Sequence, residues 1–287
     1  MNKAWINNKL VDINKARISI FDRGFMYGDG VFETMRSYRG VVFKIDEHMS
    51  RIERSLKMVR IRPQYTKNHL KKAIYELLET NKLKSAYIRL TTTRGEGRFG
   101  IEHKDGLRAN TVIVAKEFNG YPDRIFKKGI RCHVSNMRQN EYSPLSGIKS
   151  LNFLNYIMAR FEAKDSGSDE AIVLNAKGHV AEAVTSNVFI VKESSIATPS
   201  IVSGALPGIT RSIIIEIAGK LNIKVSEKSI SCKELLSARE VFLTNSLAEV
   251  LPVIKIDRKK IGRGLPGDIT KLLHASYQKE VTRETLK

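Results

Sequence analysis

The order of strand-like and helix-like segments constrains the fold of this chain more than any other sequence feature. Hairpin patterns and amphipathic helices alternate irregularly along the sequence. A doubly wound parallel sheet requires a regular strand–helix–strand repeat, and that repeat is absent. We therefore expect a mixed α/β fold of the α+β kind. With 287 residues, the chain is long enough to build two domains of ordinary size.

The individual elements are predicted from hydrophobic periodicity and from cap and turn residues. Asp46 and Thr66 are predicted to cap the first two long helices, a third helix is predicted at 210–221, and the last helix is predicted to begin near Asp268. The predicted strands are 3–6, 9–11, 31–38, 41–45, 87–93, 111–115, 131–136, 170–174, 187–191, 241–244 and 253–256.

A linker is predicted at 118–123, because Asn119-Gly120-Tyr121-Pro122 combines several turn-forming residues. This linker separates an N-terminal α/β domain at 1–117 from a C-terminal domain at 124–287. No internal repeat or low-complexity tract suggests a different division.

The chain carries a formal net charge of +19, with basic clusters within 67–72, 124–131 and 258–263. Such a charge suits nucleic-acid binding. However, no zinc-finger spacing, helix-turn-helix signature or aromatic RNA-binding motif accompanies it. We therefore interpret the charge as a lysine-rich solvated surface that concentrates anionic small molecules, and we expect no nucleic-acid partner.

Several features predict a cytoplasmic protein. No apolar run approaches the roughly 18 residues needed to cross a membrane, and the N-terminal segment lacks a hydrophobic signal core. Cys132 and Cys232 have no partner at metal-ligand spacing. We therefore expect no membrane partner, no disulfide framework and no metal site.

Lys149 precedes an apolar stripe of Leu151, Leu154, Met158 and Phe161, whose spacing predicts a helix with one buried face. A lysine at a helix start meets the positive end of the helix dipole, and apolar neighbours also disfavour its charge. Both effects lower the pKa of an amine and favour the neutral form, which attacks carbonyls. The alternative is a lysine side chain that extends from the helix start into water.

Two later segments contain candidates for an anion and a phosphate site. Glu182 follows a turn and precedes an apolar strand, where a carboxylate is either solvated or paired with a buried cation. Ile209 and Thr210 follow Pro207-Gly208 at the start of an amphipathic helix, where free backbone amides and a hydroxyl suit a phosphate. An ordinary capped helix is the alternative. A lysine, an acid and a phosphate site together suit pyridoxal 5′-phosphate, whose aldehyde, pyridine nitrogen and phosphate need these groups.

The segment Gly95-Glu96-Gly97-Arg98-Phe99-Gly100 matches a dinucleotide-binding pattern. That pattern requires a following helix, and 101–106 is not helical in sequence character. We interpret the segment as a mobile glycine loop, whose arginines Arg94 and Arg98 can reach a carboxylate.

Several separated motifs together resemble the class IV (fold type IV) aminotransferases, a group of pyridoxal-phosphate enzymes. The group includes branched-chain aminotransferases, D-amino acid aminotransferases and aminodeoxychorismate lyase. The similarity extends from Phe21-Asp22-Arg23-Gly24 to Leu251-Pro252-Val253. It implies a small N-terminal domain, a larger cofactor-binding domain with a barrel-like sheet, a homodimer, and amino acid and 2-oxo acid substrates.

The resemblance also implies roles for individual residues. Lys149 would form the Schiff base with the cofactor, and Glu182 would pair with the pyridine nitrogen. The residues implied to bind the phosphate are Arg51, Ile209, Thr210 and Ser246. The residues implied to contact the substrate are Tyr27, Phe32, Arg36, Tyr87 and Arg89, with Arg94 and Arg98 from the glycine loop.

The substrate motifs at 27–33 and 86–89 are closest to the branched-chain type. The resemblance therefore implies transamination between a branched-chain L-amino acid and a 2-oxo acid such as 2-oxoglutarate. Asn245-Ser246-Leu247 resembles aminodeoxychorismate lyases more, and Phe153 stands where branched-chain enzymes often have a tyrosine. The alternatives are therefore the lyase, which releases pyruvate and 4-aminobenzoate, and, less favoured, a D-amino acid aminotransferase.

Overall fold

The computed structural model describes residues 2–102 and 106–286. Contacts within the chain define two compact units. The first unit runs to Asn119 and includes Lys149–Asn152 and the C-terminal residues from Arg283. The second unit comprises Gly120–Ile148 and Phe153–Thr282. The domain boundaries at 117 and 124 stay a prediction.

The first unit contains one antiparallel sheet, in which the strands follow the order β2-β1-β6-β5-β3-β4. The strands are β1 (Lys3–Ile6), β2 (Lys9–Asp12), β3 (Gly30–Tyr38), β4 (Val41–Val42), β5 (Ala86–Thr93) and β6 (Asn110–Glu117). Its helices are α1 (Arg23–Tyr27), α2 (Ile45–Met58) and α3 (Lys67–Thr80).

The two faces of this sheet differ in burial. Along β5, Ala86, Ile88 and Leu90 are buried, whereas Tyr87 and Arg89, between them, are half-buried. This alternation is what a strand with one covered face produces. Helix α2 lies against β3 and helix α3 against β1 and β6, so the helices supply the cover. The other face, called the accessible face because these helices do not cover it, carries polar and aromatic side chains that are half-buried or buried.

The second unit contains a curled sheet in the order β12-β11-β10-β13-β14-β7-β8-β9, with β15 added to β14. Strand β9 also lies against β10 and β11, so the sheet bends back on itself as a partial barrel. The strands are β7 (Ile130–Gln139), β8 (Glu170–Asn175), β9 (Val180–Ala183), β10 (Asn187–Lys192), β11 (Ser195–Pro199), β12 (Val225–Lys228), β13 (Glu240–Asn245), β14 (Glu249–Ile256) and β15 (Lys259–Lys260).

The helices of the second unit surround this sheet. Helix α5 packs on β7 and β8, α6 on β12 and β13, and α4 on β14. The core inside the sheet is aliphatic and includes Ile172, Val188, Ile190 and Leu243. The helices are α4 (Asp123–Lys128), α5 (Leu154–Asp165), α6 (Ile209–Lys220), α7 (Cys232–Leu236) and α8 (Asp268–Thr285). The predicted mixed α/β fold with a barrel-like sheet is therefore confirmed.

Two local predictions are wrong. Asp46 does not cap α2, because the helix begins at Ile45 and its cap is Lys44 in the left-handed region at φ 55°. Asp46 lies in the first turn, where its charge still favours the helix dipole. The apolar stripe of α5 is not buried in this chain, since Leu154 is 70% and Phe161 is 53% exposed. The helix packs through Ala159 and Ala163 instead.

Other predictions hold. The side chain of Thr66 caps α3 by accepting the backbone N–H of His69, and the last helix begins at Asp268. Within the described part of the chain, no helix is both long and apolar enough to cross a membrane.

Candidate functional site

Lys149 lies in an extended segment of the first unit and does not open a helix, because α5 begins only at Leu154. Its carbonyl accepts the backbone N–H of Phe32, and Ser150 forms a bridge with Val31. Lys149 and Phe32 are thus cross-strand neighbours on one face of the sheet. Lys149 Nζ lies 4.6 Å from the centre of the Phe32 ring. The predicted effect of the helix dipole on Lys149 is therefore wrong, but the apolar neighbour is present.

The accessible face of the first sheet gathers four of the predicted substrate residues. Arg36 pairs across the strands with Tyr87, and Thr34 pairs with Arg89, so these side chains share a face. Phe32 belongs to the same alternation, and the Arg89 guanidinium lies 3.7 Å from the centre of its ring. The face therefore presents the amine of Lys149, the guanidinium of Arg89 and an aromatic ring next to each other.

Beneath that face, Glu33 forms a buried charged cluster with the next helix. Its two carboxylate oxygens accept from Nε and Nη2 of Arg51, each over 2.7 Å, and Oε2 also lies 2.7 Å from Nδ1 of His48. Burial alone would raise the pKa of Glu33, but Arg51 and His48 outweigh it and hold the pKa at about 2. For His48, burial disfavours the charged imidazolium and therefore lowers the pKa. Glu33 thus fixes the orientation of Arg51, the predicted phosphate ligand.

The other predicted substrate residues are engaged elsewhere or exposed. Arg94 donates to both oxygens of Asp29, over 2.7 and 3.0 Å, and to the carbonyls of Val59 and Arg60 at the end of α2. The hydroxyl of Tyr27 accepts the backbone N–H of Gly100. Arg98 is exposed on the glycine loop. As predicted, no helix follows that loop among the described residues 95–102, and 103–105 lie outside the described part.

In the second unit, Glu182 lies on β9 with only 7% of its surface exposed. Its Oε1 accepts from the Tyr156 hydroxyl over 2.6 Å, and its Oε2 accepts from the backbone N–H of Leu206 over 2.9 Å. Both donors are neutral groups. The carboxylate is therefore fixed in place without receiving positive charge from either of them.

The loop before α6 is tightly held at Gly208, the N-cap of the helix. Asn187 donates from Nδ2 to the carbonyl of Leu206, and its Oδ1 would clash with a Cβ placed on Gly208. Only glycine fits there. As predicted, Thr210 lies in the first turn, where it is buried, and the backbone N–H groups of a first turn have no partner within the helix. The helix start therefore has the chemistry of an anion site.

A buried hydroxyl lies close to this loop. Thr244 on β13 is directly paired with Asn187, so the two side chains share a face of the sheet. Its Oγ1 is buried and has no hydrogen-bond partner among the described residues. A buried hydroxyl in this state is costly to the folded protein, and a bound ligand is one way to satisfy it.

The turn between β13 and β14 contains Ser246, which is half-buried. Asn245 organises the turn, because its Oδ1 accepts from the backbone N–H groups of Leu247 and Ala248 over 2.8 and 2.7 Å. Its Nδ2 donates to the hydroxyl of Ser186. The side chain of Asn245 thus closes the turn.

Sequence reasoning missed several of these contributors. A glutamate at position 33, between the apolar inward positions of β3, was a usable signal, because a buried carboxylate needs cationic partners. Tyr156 follows Phe153 at helical spacing, and the two rings pack 4.9 Å apart. Thr244 and Asn187 gave no signal, because their relation depends on strand pairing. Across the described residues, no group of three or more His, Cys, Asp or Glu side chains is arranged to hold a metal ion.

Comparison with known proteins gives a consistent result. The family described as "Amino-transferase class IV" matches residues 30–256. A Methanocaldococcus jannaschii relative, provisionally named a branched-chain-amino-acid aminotransferase, is 37% identical over 96% of this chain and 95% of its own length. A D-alanine aminotransferase from Bacillus licheniformis is 32% identical over 99% of each chain.

A solved structure also matches nearly the whole chain. The Escherichia coli branched-chain amino acid aminotransferase has a TM-score of 0.95 and 31% identity, and the match covers 99% of this chain and 96% of that chain. The family match and the relatives cover the candidate residues of each unit. This chain therefore belongs to the class IV aminotransferases, a family of pyridoxal-phosphate-dependent enzymes.

Proposed function

We propose that this enzyme transfers the amino group of a branched-chain L-amino acid to a 2-oxo acid such as 2-oxoglutarate, with pyridoxal 5′-phosphate as cofactor. The observation that carries the proposal is the accessible face of the first sheet. There Lys149 Nζ and the Arg89 guanidinium both lie beside the Phe32 ring, at 4.6 and 3.7 Å from its centre. An amine, a carboxylate-binding cation and an apolar surface together suit an amino acid with an apolar side chain.

The residues present fit the cofactor. The buried Thr244 hydroxyl lacks a protein partner among the described residues. This hydroxyl suits the phosphate, as do the backbone amides of Ile209 and Thr210 at the start of α6. Arg51 and Ser246 are the further phosphate ligands that we propose. Glu182 supplies the acid that a pyridine nitrogen needs. When bound, the cofactor supplies a ring that accepts electrons from the substrate.

Each side chain of this proposal has a defined task. Lys149 would hold the cofactor through Nζ, and its amine would carry the proton that leaves the substrate Cα. Glu182 would keep the pyridine nitrogen protonated. Arg36 and Arg89 bind carboxylates, and Phe32 and Tyr87 exclude water around the substrate side chain. Arg94 and Tyr27 instead support the loop structure of the first unit, and Arg98 stays a candidate for contact with substrate carboxylates.

A half-reaction scan tests the proposal. The holoenzyme is mixed with a panel of L- and D-amino acids, and loss of the bound-cofactor absorbance band is followed. We expect leucine, isoleucine and valine in the L form to react fastest. Lys149→Ala should lose both the band and turnover, whereas Lys177→Ala, at an exposed position, should keep both. Unchanged turnover in Lys149→Ala would contradict the assignment.

The choice of substrate separates the alternatives. The relatives are aminotransferases, which favours transamination over lyase chemistry. Release of pyruvate from aminodeoxychorismate, without leucine-dependent glutamate formation, would nevertheless identify a lyase. Preferential reaction of D-alanine would place the enzyme with the D-amino acid type, to which one relative belongs.

We also propose that the enzyme is a homodimer. The apolar residues of α5 support this, because Leu154, Ile157, Met158 and Phe161 form an exposed, uncharged surface on one helix. Exposed apolar patches of this kind are typical of association sites. Sedimentation should give the mass of a dimer, and Phe161→Glu should shift the population toward monomer. A wild-type monomer at micromolar concentration would contradict the proposal.

A further inference from the structure

Tyr156 contacts the carboxylate of Glu182 directly. The phenol hydroxyl donates to Oε1 over 2.6 Å, a short distance typical of a hydrogen bond to a charged oxygen. The second oxygen is held by the backbone N–H of Leu206 over 2.9 Å. With a donor on each oxygen, the plane of the carboxylate is fixed. Each carboxylate oxygen can accept two hydrogen bonds, so this arrangement is compatible with a ligand donor.

The protein anchors Tyr156 from two sides. Its ring packs against Phe153 with centroids 4.9 Å apart, and it borders the small core of Ala159, Ala163, Ala171 and Val173. Burial raises the pKa of the phenol, and the negative charge of Glu182 raises it further. The hydroxyl therefore stays protonated at neutral pH and acts as a donor. The ring of Phe153 packs on this phenol and carries no hydrogen-bond donor.

We propose that Tyr156 is a positioning residue that orients the Glu182 carboxylate toward the pyridine nitrogen of the cofactor. This inference rests on the proposed role of Glu182. The backbone N–H of Leu206 holds one oxygen of the carboxylate, and the Tyr156 hydroxyl holds the other. The phenol fixes the second oxygen and adds no positive charge that would compete with a protonated pyridine nitrogen.

The test uses Tyr156→Phe, which keeps the ring and removes one oxygen. Tyr142→Phe is the matched control, because Tyr142 is 69% exposed. In the holoenzyme, Tyr156→Phe should weaken cofactor binding about tenfold, as loss of a hydrogen bond to a charged group does. It should also shift the absorbance band of the bound cofactor in the same direction as Glu182→Gln. Tyr142→Phe should change neither quantity.

A double variant separates positioning from a merely structural role. If Tyr156 acts through Glu182, then Tyr156→Phe should change cofactor affinity less than about twofold in a Glu182→Gln background, because coupled residues are not additive. An equal loss in both backgrounds would overturn the proposal. Wild-type affinity and band position in Tyr156→Phe alone would overturn it as well.

The proposed roles of Glu182 and Tyr156 can be disproved separately. If Glu182→Gln itself binds the cofactor like the wild type, the role of Glu182 is wrong. If Glu182→Gln loses affinity and Tyr156→Phe does not, only the role of Tyr156 is wrong. Urea unfolding checks that Tyr156→Phe is folded. Should it not fold, 4-fluorophenylalanine at position 156 fills the space of the hydroxyl without a donor proton, and wild-type affinity and band position would then contradict the proposal.

Discussion

Glu33 and Glu182 are two buried glutamates whose described hydrogen-bond donors differ in charge. Glu33 is 1% exposed, and its oxygens are bound by Arg51 and His48. Glu182 is 7% exposed, and the donors described for it are the neutral hydroxyl of Tyr156 and a backbone amide. Glu33 therefore neutralises a cation of its own protein, whereas Glu182 is oriented by two donors that carry no positive charge.

This difference separates stability from ligand binding. A carboxylate paired with a buried arginine is strongly coupled to folding, because removing one charge leaves the other buried. A carboxylate held by neutral donors is fixed in geometry. Replacing it with an amide costs less folding free energy. The two glutamates should therefore respond differently to the same Glu→Gln change.

The largest effect is expected from Glu33→Gln on stability. The change leaves Arg51 buried without its counter-charge, so the free energy of unfolding should fall by about 3–5 kcal/mol. Urea unfolding measures this. Glu53→Gln, which removes a surface ion pair to Lys67, is the control and should lie within experimental error of the wild type. A fall of less than about 1 kcal/mol in Glu33→Gln would show that the buried cluster does not stabilise the fold.

The acid dependence of stability gives a second prediction. The pKa of Glu33 is about 2 in the folded protein against an ordinary value of 4.5. Between these values the unfolded chain binds a proton that the folded chain does not, so stability rises with pH in this window. As pH falls from about 4.5 to about 2, the protein loses about 3 kcal/mol of stability, at about 1.4 kcal/mol per pKa unit. Urea unfolding at several pH values should show a flatter profile for Glu33→Gln, and an unchanged slope would contradict the assignment.

A smaller effect is expected at Thr244, where a hydroxyl near the α6 loop has no partner among the described residues. Thr244→Val should raise the unfolding free energy of the cofactor-free protein by about 1 kcal/mol, because an unsatisfied buried group is removed. It should also weaken cofactor binding. Thr198 is the matched control, since its hydroxyl donates to the carbonyl of Val188 over 2.8 Å. Thr198→Val should lose about 1 kcal/mol instead. Equal losses in both variants would exclude a ligand role for Thr244.

The fold could largely be predicted from local sequence patterns. Strand alternation and the Thr66 cap identified β5 and α3 closely, because their signals come from residues near in sequence. The stripe of α5 shows the limit of periodicity. It identified an apolar face, but Ala159 and Ala163 make the contact with the sheet, and the larger residues are exposed. Hydrophobic spacing does not show which side of a helix packs against the rest of the same chain.

The sequence proposed residues for the candidate site, but it did not predict their geometry. Lys149 was assigned to a helix start, whereas backbone pairing places it beside Phe32 in a sheet. This relation joins residues far apart in sequence, and local patterns carry no information about it. The same holds for Tyr156 and Glu182, on α5 and β9. Arg94 was placed with the substrate, but a neighbouring acid, Asp29, binds its guanidinium.

The most direct test of the central claim is the cofactor dissociation constant of Glu182→Gln. We expect pyridoxal-phosphate binding at least about tenfold weaker than in the wild type, because a charged partner of the pyridine nitrogen is replaced by a neutral amide. A dissociation constant equal to that of the wild type would show that Glu182 does not hold the cofactor, and the distinction drawn between the two buried glutamates would then be wrong.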